Sequence, residues 1–172
     1  MNSKRILLSP PHMGGTELTY IAQAFQDNWI APAGPHIDLF ENRLIDFLDK
    51  KSQVVALNSG TAAIHLGLQL LGVQKGDVVL CQSLTFIASV NPVLYLGATP
   101  VFIGSEKETW NLCPIALEEA ILNQLNKGIQ PKAIVVVHLY GMPAKMNEII
   151  TISKKYNIPI LEDAAEALGS SY

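Results

Sequence analysis

The sequence lacks the features that mark secreted, membrane-spanning and nucleic-acid-binding proteins. It has only two cysteines, Cys81 and Cys113, without metal-ligand spacing, and we expect both to be buried, reduced thiols. Charged residues make up 16% of the 172 residues, the net charge is −3 and no basic run occurs, which argues against a nucleic-acid partner. The apolar run after Lys4 and Arg5 is too short for a signal peptide, and no run is long enough to span a membrane. We therefore expect a cytoplasmic protein without a membrane contact.

Several catalytic signatures are missing as well. No Gly-x-Ser-x-Gly elbow supports an α/β-hydrolase triad. Neither a Walker A loop nor a Gly-x-Gly-x-x-Gly dinucleotide loop is present. His12, His36 and His65 do not have the spacing of metal ligands, and we predict no metal site. These absences argue against an α/β-hydrolase triad, a plain dinucleotide-binding domain and a metal site.

Hydrophobic residues are plentiful, at 49%, which suits one domain with a sizeable core. In the first fifty residues they recur at every third or fourth position. This spacing predicts an amphipathic helix over residues 16–28. Two prolines prevent residues 29–35 from continuing it, and a second helix is predicted over residues 37–49.

Beyond residue 50 short apolar runs alternate with helical patterns. The runs are continuous, as is typical of parallel strands buried on both faces. We predict five strands, over residues 54–57, 78–81, 100–103, 133–137 and 159–161, and four helices, over residues 61–71, 86–96, 114–126 and 144–156. Pro92 conflicts with the second of these helices and indicates a kink or a late start. The predicted fold class is α/β, a three-layer and mainly parallel sheet, with helices and a loop over residues 1–50 and the alternating series over residues 51–172.

Ligands bind such sheets at the carboxyl ends of the strands, and the first predicted strand ends at a candidate phosphate site. Ser59, Gly60 and Thr61 begin a helix there. The free amide groups of a helix N-terminus favour an anion, and Gly60 permits a close backbone approach. Ser and Thr are also ordinary helix caps, and on this motif alone a capped helix start without a ligand is the favoured interpretation.

Other strand ends carry four more candidate residues. Phe86 could present a ring face to a planar ligand or belong to the core. Asp163 ends an apolar strand, where an unpaired acid is costly, so we expect a partner: a protonated pyridine nitrogen, a helix N-terminus or a lysine. Glu166 could join that site or be a solvated helix residue. His138 could touch a cofactor, but a bond to the backbone is the favoured interpretation.

In this order the segments resemble the DegT-like sugar aminotransferases, which are fold-type I pyridoxal-phosphate enzymes. The resemblance covers residues 6–172 and is closest to the branch that serves exopolysaccharide and glycan synthesis. The shared motifs are LSPPHM (8–13), NWIAP (28–32), SGTAAIHL (59–66), LTFIAS (84–89), GATPVF (97–102), HLYG (138–141) and EDAAEALGSSY (162–172).

The resemblance implies roles for the candidate residues around pyridoxal 5′-phosphate. Gly60 and Thr61 match the residues that hold the cofactor phosphate, and Phe86 matches the aromatic residue that stacks on the pyridine ring. Asp163 matches the acid paired with the ring nitrogen. Glu166 falls where relatives carry Gln, His or Glu near the phenolic oxygen.

The resemblance also implies what the chain does not contain. In the family the lysine that forms a Schiff base with the cofactor follows the acidic motif, beyond Tyr172, so no catalytic residue is nominated. Family sheets have seven strands, and the last two lie between the first and the fifth, so residues 54–57 would lie beside a gap. We therefore expect the N-terminal part of the cofactor-binding large domain, without the C-terminal strands and the small domain.

The implied activity is transfer of an amino group from an amino acid, usually glutamate, to a nucleotide-linked keto-sugar, typically a UDP-linked 4-keto-6-deoxy sugar. A homodimer is implied for the intact enzyme, and no turnover is expected from this chain alone. Two alternatives stay open. One is a sugar dehydratase of the same family, in which histidine replaces the lysine. The other is a non-catalytic remnant, or one half of a split enzyme.

Overall fold

The computed structural model describes residues 5–7 and 10–172, so the first two residues of the 8–13 motif lie outside the described residues. The chain divides into two compact units, Met1–Ala56 and Leu57–Tyr172. Within the described ranges, no helix combines the length and the apolar character that crossing a membrane requires.

The first unit contains two helices, α1 (Glu17–Gln26) and α2 (Pro35–Leu48). Both predicted helices are confirmed, but α2 begins two residues earlier than predicted, at Pro35. The reason is that proline has its φ preset for a helix and needs no amide partner in the first turn. Neither helix buries a residue, and the apolar stripe of α1 is exposed, with Phe25 at 65%.

The second unit is a four-stranded sheet flanked by helices. All the strands are parallel, and their spatial order is β2-β1-β3-β4. The strands are β1 (Val78–Gln82), β2 (Thr99–Ile103), β3 (Ala133–Val137) and β4 (Ile160–Asp163). The helices are α3 (Gly60–Leu70), α4 (Asn91–Tyr95), α5 (Pro114–Asn126) and α6 (Met146–Tyr156).

The predicted strand over residues 54–57 is wrong, because these residues pair with no strand in the described part of the chain. An apolar run becomes a strand only where a neighbour takes up its backbone hydrogen bonds. Here the amide of Ala56 donates instead to the Glu41 carboxylate, with N and Oε1 2.7 Å apart.

The predicted helix over residues 86–96 is divided in two. A 3₁₀ turn at Ile87–Ser89 precedes α4, and Pro92 occupies the first turn of α4. The late start indicated by Pro92 is therefore confirmed, since a proline in the first turn removes no helical hydrogen bond.

Two apolar clusters show that the sheet is the middle of three layers. Alternate residues of β1 and β3 point to opposite faces, and both strands are buried throughout. One cluster joins them to α5 and α6, through Val78, Leu80, Ile134, Val136, Leu117, Ile121, Ile149 and Ile152. The other joins them to α3 and α4, through Val79, Cys81, Ala133, Val135, Ile64, Leu68, Val90 and Val93.

The two cysteines differ in burial. Cys81 lies in the core, and burial raises the pKa of its thiol to about 12. Cys113 precedes α5 and is only half-buried, against expectation, because it lies where the chain leaves the sheet to start a helix. Both are free thiols.

α3 is brought close to β4 by a glycine. A Cβ at Gly67 would lie 2.9 Å from Cδ1 of Leu161, closer than packed atoms tolerate. The absent side chain therefore lets the helix approach the strand, which places the N-terminus of α3 near the end of β4.

The loop between β2 and α5 is organised around Glu106. Its carboxylate accepts the amide N–H groups of Glu108 and Thr109, at 2.8 and 2.7 Å, and the Thr109 hydroxyl. Lys145 Nζ lies 3.3 Å from the same carboxylate. The Thr109 hydroxyl, together with the backbone N–H groups and Lys145, lowers the pKa of Glu106 to about 2.

Glu106→Gln should lower the melting temperature at neutral pH by about 2–4 °C, because an amide cannot replace the charged acceptor. A depressed pKa stabilises the fold above the ordinary value of 4.5, and that stabilisation is lost as the pH falls toward about 2. Thermal unfolding followed by circular dichroism should therefore show a difference in melting temperature between Glu106→Gln and the unsubstituted chain. This difference should shrink as the pH falls from 4.5 toward about 2. Glu108→Gln, which removes only a 2.6 Å contact to Lys145 at a 76% exposed side chain, is the control and should change little. A difference in melting temperature that does not change with pH would contradict this account.

Candidate functional site

One cleft of about 570 Å³ lies at the carboxyl ends of β1, β3 and β4. Within the sheet β2 lies next to β1 on one side, whereas β3 and β4 lie on the other side of β1. Such a reversal of strand order opens a crevice for a ligand at the carboxyl ends of the strands. The cleft is lined by Gly60, Thr61, Ile64, Leu84, Thr85, Phe86, Ala88, Ser89, Val137, His138, Leu139, Tyr140, Asp163, Ala165 and Glu166.

The N-terminus of α3 forms one end of the cleft. Ser59 caps the helix through its hydroxyl, which accepts the amide of Ala62 at 3.2 Å. The amides of Gly60 and Thr61, the first two residues of the helix, have no acceptor among the described residues. An added Cβ at Gly60 would meet no atom within 4 Å. Two unpaired N–H groups therefore adjoin open space, which is how a helix binds an anion.

The Phe86 loop is held by the side chain of Gln82, the last residue of β1. Gln82 is 1% exposed. Its Nε2 donates to the carbonyl of Leu84 at 2.9 Å, and its Oε1 accepts the amide of Leu112 at 2.9 Å. Phe86, two residues beyond Leu84, is 77% exposed and presents its ring on the cleft wall. The interpretation of Phe86 as a core residue is therefore wrong.

Asn111 links that loop to the one after β3. It is fully buried, and its Oδ1 accepts both Nε2 of Gln82, at 3.2 Å, and the amide of Leu139, at 2.9 Å. Its Nδ2 donates to the carbonyl of Met142 at 2.8 Å. Gln82 and Asn111, the amide pair, thus fix two walls of the cleft. Sequence reasoning missed both residues, because their partners are distant along the chain.

Asp163 is held by a hydroxyl. Ser89 Oγ donates to Oδ2 of Asp163 at 2.6 Å, and Ser89 in turn bonds Thr85 Oγ1 at 2.8 Å. The other carboxylate oxygen accepts the amide of Ala165 at 3.3 Å. Of the partners expected for Asp163, no lysine or helix N-terminus is found among the described residues, and Ser89 takes that place. Ser89 lies in the 84–89 motif, but nothing in the sequence singled it out.

His138 has both ring nitrogens engaged by protein groups. Nδ1 accepts the amide of Ala144 at 3.1 Å and therefore carries no proton. Nε2 then carries the proton and donates it to Oε2 of Glu162 at 3.0 Å. The ring is 5% exposed and lines the cleft, but it has no nitrogen free for a ligand.

Glu166 bonds the loop after β3. Its Oε2 accepts the amide of Tyr140 at 2.9 Å, and no helix contains it, so the solvated-helix interpretation is wrong. Tyr140 has a φ of 54° and Gly141 a φ of 81°. A Cβ at Gly141 would lie 2.8 Å from the carbonyl oxygen of Glu166. Glycine is therefore required at position 141 by this close approach and by its positive φ.

The structure brings six of the seven sequence-predicted residues onto one cleft: Gly60, Thr61, Phe86, His138, Asp163 and Glu166. Ser59 lies behind them as the helix cap. No lysine among the described residues lines the cleft, and within the same residues no group of three metal-ligating side chains exists.

A parallel α/β sheet that brings a helix N-terminus with unpaired amides and a strand-end carboxylate into one cleft is typical of the cofactor-binding domain of pyridoxal-phosphate enzymes of the aminotransferase class. The chain belongs to the DegT/DnrJ/EryC1/StrS aminotransferase family, whose model matches residues 11–172. This assignment agrees with the resemblance that the motifs carry.

Individual relatives support the assignment and show how much of a family member the chain covers. The chain is 53% identical over 169 residues to "Putative pyridoxal phosphate-dependent aminotransferase EpsN" of Bacillus subtilis, covering 98% of the chain and 43% of that protein. It is 38% identical to GDP-perosamine synthase of Escherichia coli O157:H7, over 98% of the chain and 44% of the relative. An aminotransferase structure from Psychrobacter cryohalolentis matches with a TM-score of 0.85 and 33% identity, over 95% of the chain and 40% of its own. The chain thus spans less than half the length of these relatives.

The cleft fits pyridoxal phosphate, the cofactor of this class. The unpaired amides at α3 suit its phosphate, and the space before Gly60 is open. Asp163 is a carboxylate without a cationic partner among the described residues, as a protonated ring nitrogen requires. The volume lies within the range of small-molecule sites.

Asn111→Ala should lower the free energy of unfolding by about 2–4 kcal/mol, because it leaves the Leu139 amide and the Met142 carbonyl without partners. Urea unfolding measures the loss, and hydrogen exchange of the Leu139 amide should accelerate. Asn123→Ala, at an exposed position of α5, is the control and should stay within about 0.5 kcal/mol. Equal effects of the two substitutions would show that the amide pair does not hold the loops.

Proposed function

We propose that this chain forms the cofactor-binding half of a pyridoxal-phosphate-dependent aminotransferase that moves an amino group from an amino acid, usually glutamate, to a nucleotide-linked keto-sugar. A relative named for GDP-perosamine synthesis supports the nucleotide-linked substrate. A cytoplasmic homodimer in a polysaccharide or glycan precursor pathway is part of the same proposal.

The observation that carries the proposal is the meeting of two opposite electrostatic features in one cleft. The N-terminus of α3 offers unpaired N–H donors beside Gly60 and Thr61, while the end of β4 offers the Asp163 carboxylate. A ligand that suits both has an anionic group at one end and a protonated nitrogen at the other. Pyridoxal phosphate has this distribution of charge.

The residues of the chain act by binding, orienting and holding a proton. The amides of Gly60 and Thr61 would hold the phosphate, and the helix dipole would add to that attraction. Asp163 would favour a protonated ring nitrogen, and the exposed ring of Phe86 would supply an apolar face for the pyridine and exclude water there. When bound, the cofactor supplies an electron sink for the charge that develops at the carbon bearing the amine.

The chain alone is proposed to bind the cofactor without turnover. Amino transfer needs a group that moves a proton between two carbon atoms, and lysine does this in the class. None of the described lysines is among the residues that line the cleft. A lysine from the part of the relatives that the chain does not match would complete the site.

Pyridoxamine 5′-phosphate, which binds without a Schiff base, tests the cofactor site directly. Isothermal titration should show saturable, one-to-one binding, and pyridoxamine without the phosphate should bind at least about tenfold more weakly. Asp163→Asn should weaken binding about tenfold, because it removes the charge opposite the ring nitrogen. Asp77→Asn, before the opposite end of β1, is the matched control, since its carboxylate accepts a turn amide from Gln74. No binding by the unsubstituted chain, or equal losses in both variants, would overturn the proposal.

Borohydride reduction after incubation with pyridoxal phosphate tests the absence of a cofactor lysine. Mass spectrometry should find no stoichiometric adduct on any single lysine, because none of the described lysines lines the cleft. The full-length Bacillus subtilis relative is the positive control and should be modified once. One stoichiometric, specific adduct on this chain would show that it carries its own Schiff-base lysine.

A further inference from the structure

We propose that Thr85 and Ser89 form a directed pair of hydroxyl groups that positions the Asp163 carboxylate toward the ring nitrogen of the bound cofactor. Ser89 and Thr85 are then positioning residues that act through Asp163. The inference rests on the proposed function, which supplies the ligand, and it assigns a part of the site that the family assignment does not.

The direction of the hydrogen bonds follows from the chemistry of the three groups. An ionised carboxylate only accepts, so the single proton of the Ser89 hydroxyl goes to Oδ2 of Asp163, at 2.6 Å. The 2.8 Å contact between Ser89 Oγ and Thr85 Oγ1 then needs a proton from Thr85. The order is therefore Thr85 to Ser89 to Asp163, and each hydroxyl has one orientation.

The position of Ser89 makes this orientation rigid. Ser89 is 1% exposed and lies in the 3₁₀ turn at Ile87–Ser89, between β1 and α4. Its partner Asp163 is 74 residues away in sequence, at the end of β4. The hydrogen bond thus joins the Phe86 loop to the strand that carries the acid, across the cleft that both line.

The bond leaves Asp163 with capacity for a ligand. A carboxylate has about four lone-pair sites. Ser89 and the amide of Ala165 use one on each oxygen. Neither contact is with a cation, and none of the ion pairs among the described residues includes Asp163. The negative charge is therefore oriented by neutral donors and stays available to a cationic nitrogen.

Two substitutions with a matched control separate this role from a structural one. Ser89→Ala removes the donor to Asp163. Thr85→Val removes the donor to Ser89 while preserving the shape of the side chain, and Thr85→Ser keeps the hydroxyl. Thermal unfolding of each variant shows whether the fold is retained.

The readout is the ring nitrogen itself. Pyridoxamine 5′-phosphate labelled with ¹⁵N in the ring reports protonation of that nitrogen through its chemical shift. Ser89→Ala should move the bound signal toward that of the unprotonated ring at a given pH and weaken binding about tenfold. Thr85→Val should shift it in the same direction by less, and Thr85→Ser should match the unsubstituted chain. An analogue with carbon in place of the ring nitrogen should bind Ser89→Ala and the unsubstituted chain equally.

The outcomes distinguish the two proposals. If the unsubstituted chain does not bind the labelled ligand, the proposed function fails. If it binds with a protonated ring and the folded Ser89→Ala and Thr85→Val variants give the same shift and affinity, the hydroxyl pair has no positioning role. Equal weakening for the carbon analogue would also overturn the inference, because it would mean that Ser89 only shapes the cleft.

Discussion

The amide pair of Gln82 and Asn111 is the interaction on which the geometry of the cleft depends. Both side chains are buried, and between them they bond backbone groups of the loops after β1 and β3 and of the segment before α5. Loops at strand ends have few bonds of their own, so buried side chains must supply them. Without this pair the loops after β1 and β3 would lose the buried side chains that bond both of them.

The second feature of the cleft is its distribution of charge. The described chain places a carboxylate, Asp163, where no described cation neutralises it, and unpaired amides where no described acceptor satisfies them. A ligand with an anionic group at one end and a cationic group at the other would bond to both at once. Buried glutamine, asparagine and serine hold the site by neutral hydrogen bonds, which leaves the charged group for the ligand.

The sequence predicted the features that depend on local pattern. Continuous apolar runs identified β1 and β3, and the helical spacing of residues 114–126 matches α5 at both ends. The motifs predicted Gly60 at the start of a helix and Asp163 at the end of a strand, and the structure brings both residues to one cleft.

Features that depend on a distant partner were missed. Residues 54–57 have the composition of a strand but pair with no strand in the described chain, so composition alone misled. Ser89 and Asn111 look like ordinary polar residues, and their importance comes from partners 74 and about 30 residues away. Such pairings are set by the order of the strands, which no local pattern encodes.

The most direct test of the central claim, that one cleft at the sheet edge holds the cofactor, is a backbone amide NMR titration of the ¹⁵N-labelled chain with pyridoxamine 5′-phosphate. The account predicts saturable shifts at the amides of Gly60, Thr61 and Ala165, and none at Ile115 or Thr151 in the groove between α5 and α6. Saturable shifts confined to that groove, or none at the N-terminus of α3, would contradict it.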